Sequence, residues 1–155
     1  MKIVVLKFGG TSVGSAERIK NVAKIVTSYL KKKFKVIVVS SAMGGETNRL
    51  INLSKEISSN FTSSEYDTLV AAGEQISCSL IAGRLNDQGH LSRSWLSWQI
   101  PILTTGNYSY SKIESIYKKN IINFLKKGGV PVIAGFQGIN SENRVTTLGR
   151  GGSDA

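Results

Sequence analysis

Short runs of β-branched apolar residues alternate along the chain with longer segments whose apolar positions recur every three or four residues. The runs are Ile3-Val4-Val5-Leu6, Val36-Ile37-Val38-Val39, a stretch from Leu91 to Leu103 containing Pro101, Val130-Pro131-Val132-Ile133-Ala134, and Val145-Thr146-Thr147-Leu148. Unbroken apolar runs of this length predict strands buried in a parallel sheet. Between the first two, Ile19, Val22, Val26 and Leu30 share one face of a predicted helix over 15–30. Leu50, Leu53 and Ile57 mark a second helix, capped near Thr47. A third is predicted over 64–86, where both Thr62-x-x-Glu65 and Ser64-x-x-Asp67 match a capping box. Ser111-x-x-Glu114 opens a fourth, carrying Ile113, Ile116, Ile121, Phe124 and Leu125, and Gly128-Gly129 ends it where glycine favours a helix stop. Strands alternating with helices predict an α/β domain built on a mainly parallel sheet.

Composition narrows this picture. A length of 155 residues suits one domain. No apolar run approaches the ~18 residues of a membrane span, and the N-terminus enters a strand pattern directly, without a secretory signal. Cys78 is the single cysteine, so no internal disulfide forms, in keeping with a cytoplasmic setting. Twenty Lys and Arg against ten Asp and Glu give a net charge of +10, which raises the question of nucleic acid. The lysines are spread over helix faces and ends, however, and do not interleave with aromatics on one surface. Lys31-Lys32-Lys33 closes the first helix, where cations offset the helix dipole.

The candidate chemistry lies where strands run into small residues. Lys7-Phe8-Gly9-Gly10 places a cation and bare backbone N–H groups at a strand-to-helix junction, which suits a polyphosphate. The spacing is not that of a Walker A loop, and a tight turn with a solvated lysine explains the segment alone equally well. Ser40-Ser41-Ala42-Met43-Gly44-Gly45 forms a second such junction, and α/β sheets bind ligands at these strand ends. On the third helix Glu74 interrupts the apolar stripe of Val70, Ser77 and Ile81, with Gly73 beside it leaving room for another backbone or a ligand. A buried carboxylate needs a partner, either a protein lysine or a ligand amine. At the far end, Arg150 offers a fork for carboxylate or phosphate, Ser153 a hydroxyl, and Asp154 an oxygen able to hold a lysine or magnesium. His90 reads as a surface histidine, Trp95 and Trp98 as packing, and Cys78 as a buried thiol.

Taken together, Lys7-Phe8-Gly9-Gly10-Thr11-Ser12-Val13, Ser41-Ala42-Met43-Gly44, Gly73-Glu74-Gln75, Ala134-Gly135-Phe136-Gln137-Gly138 and Gly149-Arg150-Gly151-Gly152-Ser153-Asp154 resemble, in order, the motifs of the aspartokinases. The resemblance covers essentially the whole chain. It implies an amino-acid-kinase fold, an α/β/α sandwich that is incomplete here. It further implies Mg-ATP-dependent phosphorylation of the aspartate side-chain carboxylate, which opens lysine, threonine and methionine biosynthesis. Lys7, Phe8, Gly9 and Gly10, with Ser12 nearby, would cradle the ATP phosphates. Thr47 and Glu74 would bind aspartate, Glu74 taking its ammonium. Arg150 and Ser153 would hold its carboxylates, Phe136 would line the pocket, and Asp154 would orient Lys7. Lys7 and Asp154 are thus the implied catalytic pair, and no residue is assigned as a metal ligand. The segment Gly44-Gly45-Glu46-Thr47-Asn48-Arg49 departs from the family's commoner Thr-Thr-Asp form.

The resemblance also implies that residues 1–155 correspond to about the N-terminal half of the family's kinase domain. The remaining strands, the nucleotide-base pocket and the ACT regulatory domains would then fall outside it, and activity of this piece alone would be impaired. A complementary C-terminal polypeptide is one expected partner, and the family is usually oligomeric. The alternative readings are a non-catalytic fragment or half of a split kinase, and a basic nucleic-acid-binding module. The chemistry fits the first reading on separate grounds. An aspartate carboxylate, with a pKa of ~3.9, is ionised at neutral pH and needs no general base. Its repulsion from a γ-phosphate, roughly 4 kcal/mol per charge pair at 4 Å and an effective dielectric of 20, must be offset by cations and N–H groups.

Overall fold

The computed structural model describes residues 2–149. In chain order it forms β1 (Ile3–Phe8), a short 3-10 turn (Gly10–Val13), α1 (Ala16–Lys31), β2 (Lys35–Ser40), α2 (Glu46–Ile57), α3 (Ser63–Val70) and α4 (Ala72–Asp87). It continues with β3 (Ser92–Trp95), β4 (Ile102–Thr105), β5 (Lys112–Ile116), α5 (Lys119–Lys126), β6 (Val130–Ala134), β7 (Gln137–Ile139) and β8 (Val145–Thr147).

Four of these strands make a wholly parallel sheet in the order β1-β2-β6-β3. The expected α/β class with helices on both faces of a parallel sheet is therefore observed. Side chains alternate between faces along each strand. One face carries Phe8, Val36, Val38, Val132 and Ala134, packed against Val22 and Val26 of α1 and Cys78, Ile81 and Leu85 of α4. On the other, Ile37 and Ile133 pack with Trp95 against Ile121 and Leu125 of α5. Ser15 caps α1 by accepting from the Arg18 N–H at 3.2 Å, and Gly128, at φ +85°, turns the chain out of α5. Gly129 then passes under Phe124, whose ring would lie 2.5 Å from any Cβ there.

Several elements differ from the pattern-based expectation. β1 is an edge strand with one open face: Ile3 is 41% and Val5 59% exposed. The apolar run reported strand type but not the cover on its outer face. The run from Leu91 to Leu103 splits into β3 and β4, which join different sheets. Trp95 is core, whereas Trp98 is exposed. Of the α2 stripe only Leu50 is buried, with Leu53 and Ile57 open to solvent. Residues 112–116, expected as helix, form β5 because they pair antiparallel with β4; cross-strand pairing overrides the helical spacing of Ile113 and Ile116. This pairing belongs to a second, mixed sheet in the order β5-β4-β7-β8, which the sequence pattern did not announce. No helix among the described residues is long and apolar enough to cross a membrane.

The long third helix is interrupted at Ala71, whose carbonyl accepts from the Gln137 side-chain amide at 3.0 Å. Neither predicted capping box forms. Glu65 instead pairs with Arg144, and Asp67 is fully buried. The Asp67 carboxylate accepts from the Ser109 N–H and Oγ at 2.9 Å each, and from the Thr147 N–H and Oγ1 at 2.6 and 3.0 Å. One carboxylate thus ties α3 to β8 and to the loop between β4 and β5, across segments far apart in sequence. Hydrogen bonds to a charged acceptor contribute about 1.5–3 kcal/mol each, and stripping the acceptor leaves buried donors unpaired. Asp67→Ala is expected to lower the unfolding free energy by about 3 kcal/mol or more in urea denaturation, whereas Glu65→Ala, at a surface pair, costs under about 1 kcal/mol. Equal effects of the two would contradict the assignment.

Candidate functional site

The parallel register brings three loops to one level. Phe8 pairs with Ser40 and Ser40 with Ala134, so β1, β2 and β6 end side by side. The ladder extends one step further: the Ser41 N–H donates to the Phe8 carbonyl at 3.0 Å and the Gly135 N–H to the Ser40 carbonyl at 2.9 Å. The segments that follow, beginning at Gly9, Ser41 and Gly135, therefore emerge together at the carboxyl edge of the sheet, where crevices in α/β proteins take their ligands.

Two of these loops touch glycine to glycine. A Cβ on Gly10 would sit 3.2 Å from the Ala42 carbonyl, and one on Gly44 would sit 3.3 Å from the Gly10 carbonyl. Gly45, at φ +84°, then turns the chain into α2. The first turn of α4 closes the arrangement from a third side. Gly73 lies so near Ala42 that a Cβ there would meet the Ala42 Cβ at 2.7 Å. Neither of the two expected neighbours, another backbone or a ligand, takes the space beside Gly73: the Ala42 methyl group does.

That approach positions Glu74. The residue is 3% exposed, and its Oε1 accepts from the Ala42 N–H at 3.0 Å. Its Oε2 is buried with no hydrogen-bond partner, and no cation forms an ion pair with it among the described residues. Behind it, Ser77 Oγ donates to the Ser41 carbonyl at 2.6 Å and accepts from Ser40 Oγ at 3.0 Å, fastening α4 to the end of β2. Burial pushes the Glu74 carboxyl up to about 7, against the opposing pull of the Ala42 N–H and its own backbone N–H. Cys78, one turn further, is driven by burial to about 12 and is inert as a thiol.

A cleft of about 310 Å³ opens over this carboxylate, lined by Gly10, Ser41, Gly44, Thr47, Glu74 and Phe136 among others. The structure thus brings together Gly10, Thr47, Glu74 and Phe136 from four separate predicted motifs. Phe136 adopts φ +67°, a left-handed conformation that a bulky residue holds only at a cost of order 1–3 kcal/mol. Gln137 beside it is anchored to the Ala71 carbonyl. Lys7 is exposed at the end of β1, on the face of Val5, and Gly9 and Ser12 lie in the turn that follows. These three border the junction without lining the cleft. The Phe8 ring belongs to the core, leaving only its backbone at the junction. Arg150, Ser153 and Asp154 lie outside the described residues. The sequence marks the run Ser40–Gly45 as a ligand-binding junction and Ser77 as part of the Val70–Ile81 stripe, but it gives no role to the Ala42 N–H, which holds the carboxylate, or to the Ser40 and Ser77 hydroxyls.

A model of the amino acid kinase family matches residues 2–155. The aspartokinase of Rickettsia felis is 46% identical over 157 residues, a match spanning 99% of this chain and 39% of the relative. The aspartokinase of Bacillus sp. strain MGA3 is also 46% identical, over 99% of this chain and 38% of its own length. The chain therefore spans well under half the length of the curated relatives it matches. Among solved structures, aspartate kinase from Synechocystis superposes with a TM-score of 0.81 at 39% identity, over 99% of this chain and 25% of that one. Aspartokinase III of E. coli, solved with aspartate and ADP, has the same fold, with a TM-score of 0.85 at 23% identity over 99% of this chain and 45% of its own.

The raised Glu74 carboxyl has a thermodynamic consequence. It titrates near 4.5 when unperturbed and near 7 in the folded chain, so the folded state binds the proton more tightly. The contribution of this group to stability is then fully present below about pH 4.5 and is lost as pH rises through 7, by up to roughly 3 kcal/mol for a shift of this size. Glu74→Gln is expected to abolish that slope. Parallel pH–stability curves for the two proteins between pH 4.5 and 8 would contradict it.

Proposed function

Because the chain belongs to the amino acid kinase family, we propose that it forms the aspartate-binding part of an aspartokinase, an ATP-dependent kinase of the aspartate side-chain carboxylate. The observation that carries this reading is the unpartnered Oε2 of Glu74, buried beneath a cleft at the ends of β1, β2 and β6. A buried acceptor with no protein donor suits a ligand cation, and an α-ammonium supplies both the charge and the hydrogen bond. Of the two partners open at the sequence level, a ligand amine is favoured over a protein lysine. Thr47 adds a hydroxyl at the same cleft, and Phe136 closes one wall. Arg150 and Ser153 are proposed to take the aspartate carboxylates.

The nucleotide reading has narrower support. Gly9 has open space where a Cβ would stand, so its backbone is approachable. Lys7 precedes it at the strand end. These residues, with Gly10 and Ser12, would hold the phosphates of ATP, which supplies the transferred phosphoryl group; Asp154 is proposed to orient Lys7. Among the described residues no group of three or more His, Cys, Asp or Glu could hold a metal ion, so magnesium is assigned no ligand among them. The work left to this chain is electrostatic: holding the ammonium at one end of aspartate fixes the direction in which its side-chain carboxylate points. That carboxylate is already ionised, so orientation and charge compensation replace a general base. The product would be 4-phospho-L-aspartate, entering lysine, threonine and methionine biosynthesis in the cytoplasm. The complete reaction is proposed to draw also on the parts that the relatives carry outside the match.

Titration calorimetry tests the ammonium site. Aspartate is expected to bind the chain at pH 8, and Glu74→Gln to weaken it at least tenfold. Affinity should fall about tenfold per pH unit below 7, as the free carboxyl takes up a proton. Succinate, which lacks the ammonium, should bind wild type no better than aspartate binds the variant. Tight succinate binding, or no effect of Glu74→Gln, would refute the reading.

A further inference from the structure

Away from the cleft over Glu74, β3 and α5 frame a second cavity of about 550 Å³, lined by Arg93, Trp95, Trp98, Gln99, Asn123 and Lys127 among others. It shares no residue with that cleft, and its size falls in the ~300–1,000 Å³ range of small-molecule sites. β3 is the outer strand of the parallel sheet, and Arg93 and Trp95, two residues apart on it, stand on one side. The Arg93 guanidinium lies over the Trp95 ring, 3.9 Å from its centroid. Trp95 in turn meets Phe124 of α5 edge to face, with ring centroids 5.9 Å apart. The turn after β3 is closed by Gln99, whose N–H donates to the Leu96 carbonyl and whose Oε1 accepts from the Leu96 N–H, both at 2.9 Å. Trp98 stands within that turn, 54% exposed.

The lining is chemically one-sided. It contains no carboxylate. Arg93 and Lys127 are both exposed, and neither forms an ion pair among the described residues. Stacking on the indole leaves the edge of the guanidinium, with its fork of N–H groups, open to an anion. With its oxygen committed to Leu96, the Gln99 side chain has only its NH2 group left to give. The indole N–H of Trp95, a residue 5% exposed, is buried with no acceptor, and an unmatched buried donor costs stability. Cations and spare donors call for an anion, and the open face of Trp98 calls for a planar ring. The sequence pattern shows no cations interleaved with aromatics; here the fold brings them together from residues 93–98 and 127.

We propose that this cavity is a second ligand site, for an aromatic anion of mononucleotide size, its ring stacked on Trp98 and its phosphate held by Arg93 and Lys127. A nucleic-acid strand fits the same lining less well. It needs a succession of stacking platforms along a basic groove, and Trp98 is the one exposed ring of this cavity. A bare phosphate or a neutral ring would use only half of the site. The proposal goes beyond the kinase reading and rests on none of its residues, so either can fail alone.

Trp95 and Trp98 are the two tryptophans of the chain, so indole fluorescence reports on this cavity directly. Adenosine monophosphate added to the full chain is expected to quench it saturably, while inorganic phosphate and adenosine each bind at least tenfold more weakly. Replacing both cations, Arg93→Gln with Lys127→Gln, should weaken binding of the nucleotide at least tenfold and leave the circular dichroism unchanged. Trp98→Ala, followed through the remaining Trp95 emission, should weaken it to a similar degree. Lys127→Gln alone, which leaves the Arg93–Trp95 stack in place, gives a smaller loss of about threefold should the double variant fail to fold. Glu74→Gln should have no effect. Absence of saturable quenching, phosphate or adenosine bound as tightly as the nucleotide, or indifference to these cation and Trp98 variants would overturn the proposal. So would an adenine oligonucleotide bound more than tenfold tighter than the mononucleotide, or self-association through Trp98 that excludes the ligand.

Discussion

The close contact between Gly73 and Ala42 is the constraint from which the site follows. With no side chain at position 73, the first turn of α4 comes near enough to the loop after β2 for Ala42 to hand its N–H to the Glu74 carboxylate. One oxygen is satisfied by that bond and the other is left buried without a donor. The serines at 40 and 77 clamp the same contact from behind. Burying half of a carboxylate in this way costs free energy, and the raised Glu74 carboxyl records that cost. On the proposed reading, a ligand that brings its own cation would recover that cost on binding, which would favour amines.

The rest of the fold delivers elements to that contact. The shared register of β1, β2 and β6 aligns three loops, and Gly10 and Gly44 let two of them pack backbone to backbone. Gln137 binds the Ala71 carbonyl where the helical segment breaks, so the start of α4 and the wall built by Phe136 are held by one side chain. Asp67 does the corresponding work further out, fastening β8 to α3 and so fixing the strand that leads toward Arg150, Ser153 and Asp154. Two carboxylates on successive helical segments thus divide the labour. Asp67 has all its acceptors filled and is structural, while Glu74 has one empty and faces a cleft.

Much of this was legible in the chain. The apolar runs at 36–39 and 130–134 and the periodic stripe of Ile19, Val22 and Val26 located two central strands and the first helix, because burial on a sheet writes its period into the sequence. Glu74 stood out for the same reason, as a charge within an apolar stripe. Hidden from view were features set by tertiary pairing. Ile113 and Ile116 have helical spacing, yet they form a strand because β4 lies beside them. Asp67 matched a capping box by spacing, yet its partners lie 42 and 80 residues away. The Ala42 N–H carried no signal at all, since a backbone donor has no letter in the sequence. The open face of β1 could not be read either, because an apolar run looks alike whether its cover is present or supplied by another segment.

The central claim is that the second oxygen of Glu74 awaits a ligand cation, and carbon-13 NMR of the labelled glutamate carboxyl observes it directly. The account predicts that the Glu74 resonance titrates near pH 7 in the free chain and that saturating aspartate moves its midpoint downward by a unit or more, while succinate leaves it in place. A midpoint unmoved by aspartate, or moved equally by succinate, would contradict the account.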